Sequence, residues 1–337
     1  MAKKMELNVY HNGTVKWQHD GKLYCLHVQA DETPLDPRHD WDNIAVMACW
    51  HRRYRLGDTV QDEKPEEFWR RLVRENVPES EIASAAEEGK LGGIRIAEHE
   101  DGDQSGLVDI YETYQLWTVV GRSEPGENLE YEGIPREAVA EYLMDDLTIG
   151  HCMTLMEPYA EWMPLWLYDH SGITMSCGAR TGQYADRWDS GQVGWILAMK
   201  KTVMKECVEY VLDENGERIK VEHQHEGMPS TWSYLTRPLT EETWRKRAVE
   251  IMRGEVEVYD QYLTGDVYGF TLYSASADDD TEHPDWSEED SCWGFFGSDI
   301  LENGIEDQVG HGLRDAVEAG RYDEGEAEKH VHTYYTF

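Results

Sequence analysis

Hydrophobic and polar positions alternate early in the chain. Residues 6–10, 14–18 and 22–29 alternate or run apolar, with Asn12-Gly13 and Asp20-Gly21 between them. Such dipeptides tolerate positive φ at both central positions of a two-residue turn, so the pattern predicts a β-meander. A polar, proline-bearing loop over 31–42 leads to the apolar run 43–50, expected to be a buried strand. Pro65 opens a helix over 66–76, with Phe68, Trp69, Leu72 and Val73 on one face, acids early and arginines late. Residues 78–88 predict a second short helix, 98–106 an acidic loop and 107–120 a strand. A helix over 135–146 carries Ala138, Val139, Tyr142 and Leu143 as its apolar stripe.

Further on, 162–168 and 192–199 are aromatic or β-branched strand candidates, and Asn215-Gly216 predicts a turn between 207–212 and 218–222. Thr240 caps the strongest helical pattern, in which Trp244, Ala248, Ile251, Met252, Val256, Tyr259 and Leu263 follow a helical spacing. A strand over 266–274, an acidic connector over 278–290, one or two helices over 298–319 and a closing strand over 329–337 complete the expectation. Strands in groups with helices between them predict an α+β fold, antiparallel sheets with several packed helices and no regular βαβ series. The expected organisation is a main domain over 1–275 and an acidic C-terminal region over 276–337, or one domain including both.

Charge changes this picture more than any motif. The 337 residues hold 31 Lys+Arg against 68 Asp+Glu, a formal net charge of −37. With 40% hydrophobic residues the chain can build a core, so wholesale disorder is excluded. No apolar run reaches the roughly 18 residues of a transmembrane helix, and no apolar stretch follows Lys3-Lys4 as in a signal peptide. A −37 charge disfavours unaided binding to nucleic acid or to an anionic membrane. The acid is densest over 270–337, where 18 acids meet only Arg314, Arg321 and Lys329. Three explanations are open: salt adaptation, consistent with 12 Lys against 19 Arg; mimicry of a nucleic-acid backbone; or a merely well-solvated surface. For mimicry, the acids over 298–321, with Glu302, Glu306 and Asp307 as the binding residues, fall at helical three- and four-residue steps. Six scattered cysteines without a CxxC pair agree with a reducing cytoplasm.

Candidate chemistry gathers in three segments: Asp40 to Asp58 with His51, Arg52, Arg53 and Arg55; Trp166 to Met175 with Asp169 and His170; and Trp188 to Gly194 with Asp189. A hydrolase would use Ser171 or Cys177 as nucleophile, His170 or His51 as base, and Asp189 or Asp42 to orient it. The competing reading makes Asp169-His170-Ser171-Gly172 a plain turn. Arg52, Arg53 and Arg55 suit a phosphate or carboxylate, or internal ion pairs with Asp40, Asp42 or Asp58. Cys49-x-His51, His223-x-His225 and His330-x-His332 are metal half-sites without further ligands nearby, so no metal is expected. Walker A, dinucleotide and HExxH signatures are absent, and no cofactor is expected.

The blocks Asp42-Asn43 with Cys49-Trp50-His51-Arg52-Arg53-Tyr54-Arg55-Leu56-Gly57-Asp58, Pro164 to Ile173, Trp188 to Gly194, Glu255 to Gly269 and Asp290 to Gly297 resemble a family of uncharacterised proteins of phages, plasmids and other mobile elements. The resemblance implies origin in a virus-like or mobile-element gene and transfers no catalytic residue. The expectation is therefore an acidic interaction protein in the host cytoplasm, a decoy for a basic or DNA-binding protein partner. The alternatives are a virion or assembly component of a virus of a salt-adapted host, and an enzyme using His51, Asp169, His170 and Asp189.

Overall fold

The structure is a computed structural model that describes residues 13–58, 63–98, 107–114, 117–120, 134–185, 188–224, 230–277 and 285–320. The hairpin β1 (Gly13–His19) and β2 (Lys22–Ala30) is followed by β3 (Val46–Cys49), α1 (Pro65–Asn76), α2 (Glu79–Glu87) and β4 (Ile94–Glu98). Next come β5 (Leu107–Tyr114), β6 (Trp117–Val120), β7 (Ile134–Pro135), a 3-10 turn (Arg136–Ala138), α3 (Val139–Met144) and α4 (Ile149–Met156). β8 (Ala160–Asp169), β9 (Ile173–Cys177) and β10 (Ser190–Met199) precede α5 (Lys200–Glu206). Four short strands, β11 (Val208–Tyr210), β12 (Lys220–His223), β13 (Thr231–Tyr234) and β14 (Thr236–Pro238), lead into α6 (Trp244–Thr264). β15 (Val267–Ser276), β16 (Ser287–Phe296), α7 (Ile305–Val309) and α8 (Leu313–Gly320) end the described chain. The fold is α+β, with antiparallel sheets and no βαβ series.

The chain forms two compact units. The first takes residues 1–58, 163–196 and 250–337. One of its sheets has the order β1-β2-β15-β16. The β1–β2 turn follows from Asp20 and Gly21, whose φ of 45° and 80° suit the primed turn that matches strand twist. Val15, Trp17, Tyr24, Leu26, Val28, Phe270 and Leu272 alternate inward from three strands. Ile300, Ile305, Val309 and Leu313 from the α7–α8 segment close that core; each such side chain contributes about 1.5–3 kcal/mol when fully buried. The second sheet runs β3-β10-β8-β9. Its strand β3 is gripped on both sides: Trp50 N–H donates to the Val193 carbonyl (2.7 Å) and Asp58 N–H to the Met47 carbonyl (2.8 Å). Gly194 and Gly57 permit the approach, since a Cβ on either would strike the carbonyl of Ala48 or Met47.

The second unit takes residues 59–162 and 197–249. The apolar stripe of α1 buries Phe68, Trp69, Leu72 and Val73, α1 packs on α4, and Trp69 meets Trp162 edge-on at 5.5 Å. A sheet β4-β5-β6, with β7 on β5, is joined by α2, which also packs on α3. Strands β11 to β14 make a three-way junction. Val211 N–H donates to Leu235 O (2.9 Å), Leu235 N–H to Ile219 O (2.8 Å), and Ile219 N–H to Val211 O (3.0 Å). From this closed triangle run the pairs β11–β14 and β12–β13 and the Leu212–Arg218 hairpin.

Several expectations are corrected. Tyr142 is exposed rather than part of a buried stripe, since α3 buries Val139, Ala140, Leu143 and Met144 instead. Residues 287–290 of the expected acidic connector are strand β16, paired with β15. The one or two helices expected over 298–319 are two, α7 and α8, separated by Gly310-His311-Gly312 at positive φ, but Glu302 lies in a turn before either and not on a helical face. Strands β4, β7, β9, β13, β14 and β16 and helices α4 and α5 are not among the expected elements. Residues 6–10, 278–284 and 329–337 lie outside the described residues.

Candidate functional site

The three polar segments meet at Asp169, the last residue of β8, within the first unit. Asp169 N–H donates to the Asp189 carbonyl at 2.8 Å. Its carboxylate is ion-paired with Arg53 and accepts a hydrogen bond from the Tyr54 hydroxyl at 3.2 Å. The Arg53 guanidinium also lies over the Tyr54 ring, 5.3 Å from its centroid. His51 stacks on Tyr54 with centroids 4.9 Å apart, and its Nδ1 accepts the N–H groups of Arg53 (3.3 Å) and Tyr54 (3.2 Å). Nδ1 is thus the unprotonated nitrogen of the neutral ring. Burial pushes the His51 pKa below its ordinary value; Arg53 and Arg52 add to the lowering, against Asp169. His170 Nδ1 lies 3.4 Å from Asp189 Oδ2 on the exposed side of the same turn.

This cluster brings together His51, Arg53, Asp169, His170 and Asp189 but does not assemble a nucleophile. Asp169 pairs with Ile173 across the β8–β9 hairpin, so His170, Ser171 and Gly172 form its three-residue loop. Ser171 sits at φ 60° there and makes no hydrogen bond to His170 among the described residues. Burial raises the Cys177 thiol pKa and that of Cys25, holds Cys152 at about 11, and raises Cys49 further still. Thiols of that kind are weak nucleophiles at neutral pH. Arg52 is exposed in the bend after His51, and Asp42 is exposed in the preceding loop. Among the described residues, no three His, Cys, Asp or Glu side chains group to hold a metal. His225, His330 and His332 lie outside them.

The acid partners expected for the arginines were Asp40, Asp42 and Asp58. Arg53 takes Asp169 instead, and Asp58 is taken by Arg38, a residue that no sequence motif marks. Buried Arg38 donates from Nε and Nη2 to Asp58 (2.9 and 2.8 Å), from Nη1 to Glu255 (2.7 Å), and from Nη2 to Ala45 O (2.8 Å). The second Glu255 oxygen accepts the N–H groups of Ile44 (3.0 Å) and Ala45 (3.1 Å). Burial opposes the charge on Arg38, yet Asp58 and Glu255 outweigh it and hold its pKa above the ordinary value. Likewise Tyr259 accepts the Gly57 N–H (3.0 Å) and Asp260 the Met175 N–H (2.6 Å). A lone arginine in a proline-bearing loop gave no periodic signal that could have marked it.

The acidic surface lies on β16 and the α7–α8 segment of the same unit. Residues 285–320 hold ten acids and one base, Arg314. Glu306 pairs with Arg314 at 2.9 Å, Glu289 with Lys22 at 2.8 Å, and Asp299 accepts the Leu301 N–H at 2.9 Å. Glu288, Asp290, Glu302, Asp307 and Glu318 have no ion pair among the described residues, and all five are exposed. The acids do not line one helix: those over 299–318 ride on backbone pinned by four buried apolar side chains, and Glu288, Glu289 and Asp290 lie on β16 against β15. No family model, no curated protein and no solved structure matches this chain.

Proposed function

We propose that this protein is a non-enzymatic interaction protein of viral or mobile-element origin that presents fixed carboxylates to a basic, DNA-binding host protein in the host cytoplasm. The observation that carries this reading is the 285–320 stretch, ten acids to one base, held by β16 pairing with β15 and by buried Ile300, Ile305, Val309 and Leu313. A decoy must hold charge in a defined arrangement, which a disordered acidic tail cannot do. The polar residues of the resembling blocks give second support. Asp58, Glu255 and Asp260 all accept structural hydrogen bonds, so these acids are accounted for without catalysis.

Affinity capture from host lysate at native-level salt, followed by mass spectrometry, tests the reading. A basic DNA-binding protein, released by added salt, is the expected result. The variants E302K/E306K/D307K and E288K/D290K, each with an unchanged circular dichroism spectrum, should each lose that partner. A partner bound equally well by both variants refutes the carboxylate surface. Recovery of the chain in purified particles would favour a virion component.

A further inference from the structure

The β11–β14 junction of the second unit differs from the rest of the chain in both charge and exposure. Residues 200–247 hold nine acids and nine bases, so the net −37 lies wholly outside this window. Every residue from 231 to 238 is exposed, Trp232 by 62%, and Tyr234, Leu235, Val208 and Leu212 are exposed large hydrophobics around it. A two-stranded ribbon is marginal in water without a covered face.

One face of the ribbon is defined by register. Lys220 pairs with Tyr234 and Glu222 with Trp232 across β12 and β13, and directly opposed residues share a face. Alternation adds Arg218 to that face, and its guanidinium stacks on Tyr210 (4.2 Å) and Tyr234 (5.7 Å), while Lys220 lies 5.9 Å from the Tyr234 centroid. The face therefore carries Arg218 and Lys220 beside Tyr234 at one end and Glu222 beside Trp232 at the other. None of the three charged groups has an ion pair among the described residues.

We infer that a second copy of this chain covers this face, through a two-fold interface centred on Trp232 and Tyr234. In such an isologous contact residue i meets j and j meets i. Antiparallel apposition sets Glu222 of each copy against Arg218 and Lys220 of the other. Charge also selects the occupant. Two molecules of −37 repel wherever acids face each other, and a neutral, aromatic face is where they can approach. Edge-to-edge pairing is disfavoured by Lys220 and Pro238 on the strands, so faces rather than edges associate. The inference is independent of the carboxylate surface, which lies on other residues.

Sedimentation velocity of the full chain in 0.1 M and 1 M salt, chosen to change the Debye length from about 10 to about 3 Å, tests it. A dimer that tightens with salt is expected. Trp232→Glu should weaken it at least about thirtyfold, as for a central aromatic anchor. Glu222→Lys should also weaken it, and the swap K220E/E222K should restore it, with circular dichroism unchanged throughout. A monomer at both salt concentrations, a dimer that tolerates Trp232→Glu, or a swap that restores nothing overturns the inference. Binding of a single-stranded oligonucleotide by a monomeric ribbon overturns it too.

Discussion

His51 illustrates how a residue chosen for chemistry is used for structure. Its Nδ1 terminates two backbone N–H groups and its ring lies flat on Tyr54, which in turn holds Asp169. Because burial and Arg53 lower its pKa, the folded protein binds this proton less readily than the unfolded chain does. The contribution of His51 to stability is therefore full above the unfolded value of about 6.5 and declines as pH falls through it. It levels off below the folded pKa. An NMR titration should place the His51 ring below its ordinary value, and His51→Gln should flatten the fall in stability on the acid side of neutrality. A ring titrating at or above that value would contradict the geometry.

Between elements, the decisive link is Arg38, which ties the loop before β3 to Asp58 after it and to Glu255 on α6. Removing one partner of a buried pair leaves uncompensated charge, so Arg38→Ala should cost about 3–5 kcal/mol in chemical denaturation. The exposed Arg53–Asp169 pair is the contrasting case. Arg53→Ala should cost no more than about 1 kcal/mol. Similar losses from the two variants would mean that the buried network is not a clamp. The β1–β2 hairpin, α1 and α6 followed from turn chemistry and periodicity, which are local properties. The position of the break between α7 and α8 did not, although three residues at positive φ mark it. Periodic apolar positions continue across the break, because Ile305, Val309 and Leu313 all face the same sheet.

For the whole molecule, charge sets the terms. Self-repulsion among −37 charges destabilises the compact state at low salt, and screening relieves it. The melting temperature should rise by about 5 °C or more between 0.1 M and 1 M salt, on a scale of roughly 2–4 °C per kcal/mol. A flat or falling curve would remove salt adaptation as the source of the acidity. The fold class, most strands, the principal helices and the acid-rich end were determined by sequence alone, because alternation, helical spacing, turn dipeptides and charge act between near neighbours. Tertiary structure alone decided the partners. Asp58 faces Arg38 rather than a nearby arginine, Asp169 joins Asp189 twenty residues on to Arg53 and Tyr54 more than a hundred residues before it, and the end acids are divided among a sheet edge, a turn and two short helices. Such choices depend on which backbones pack together, and no local pattern encodes a contact made across that distance.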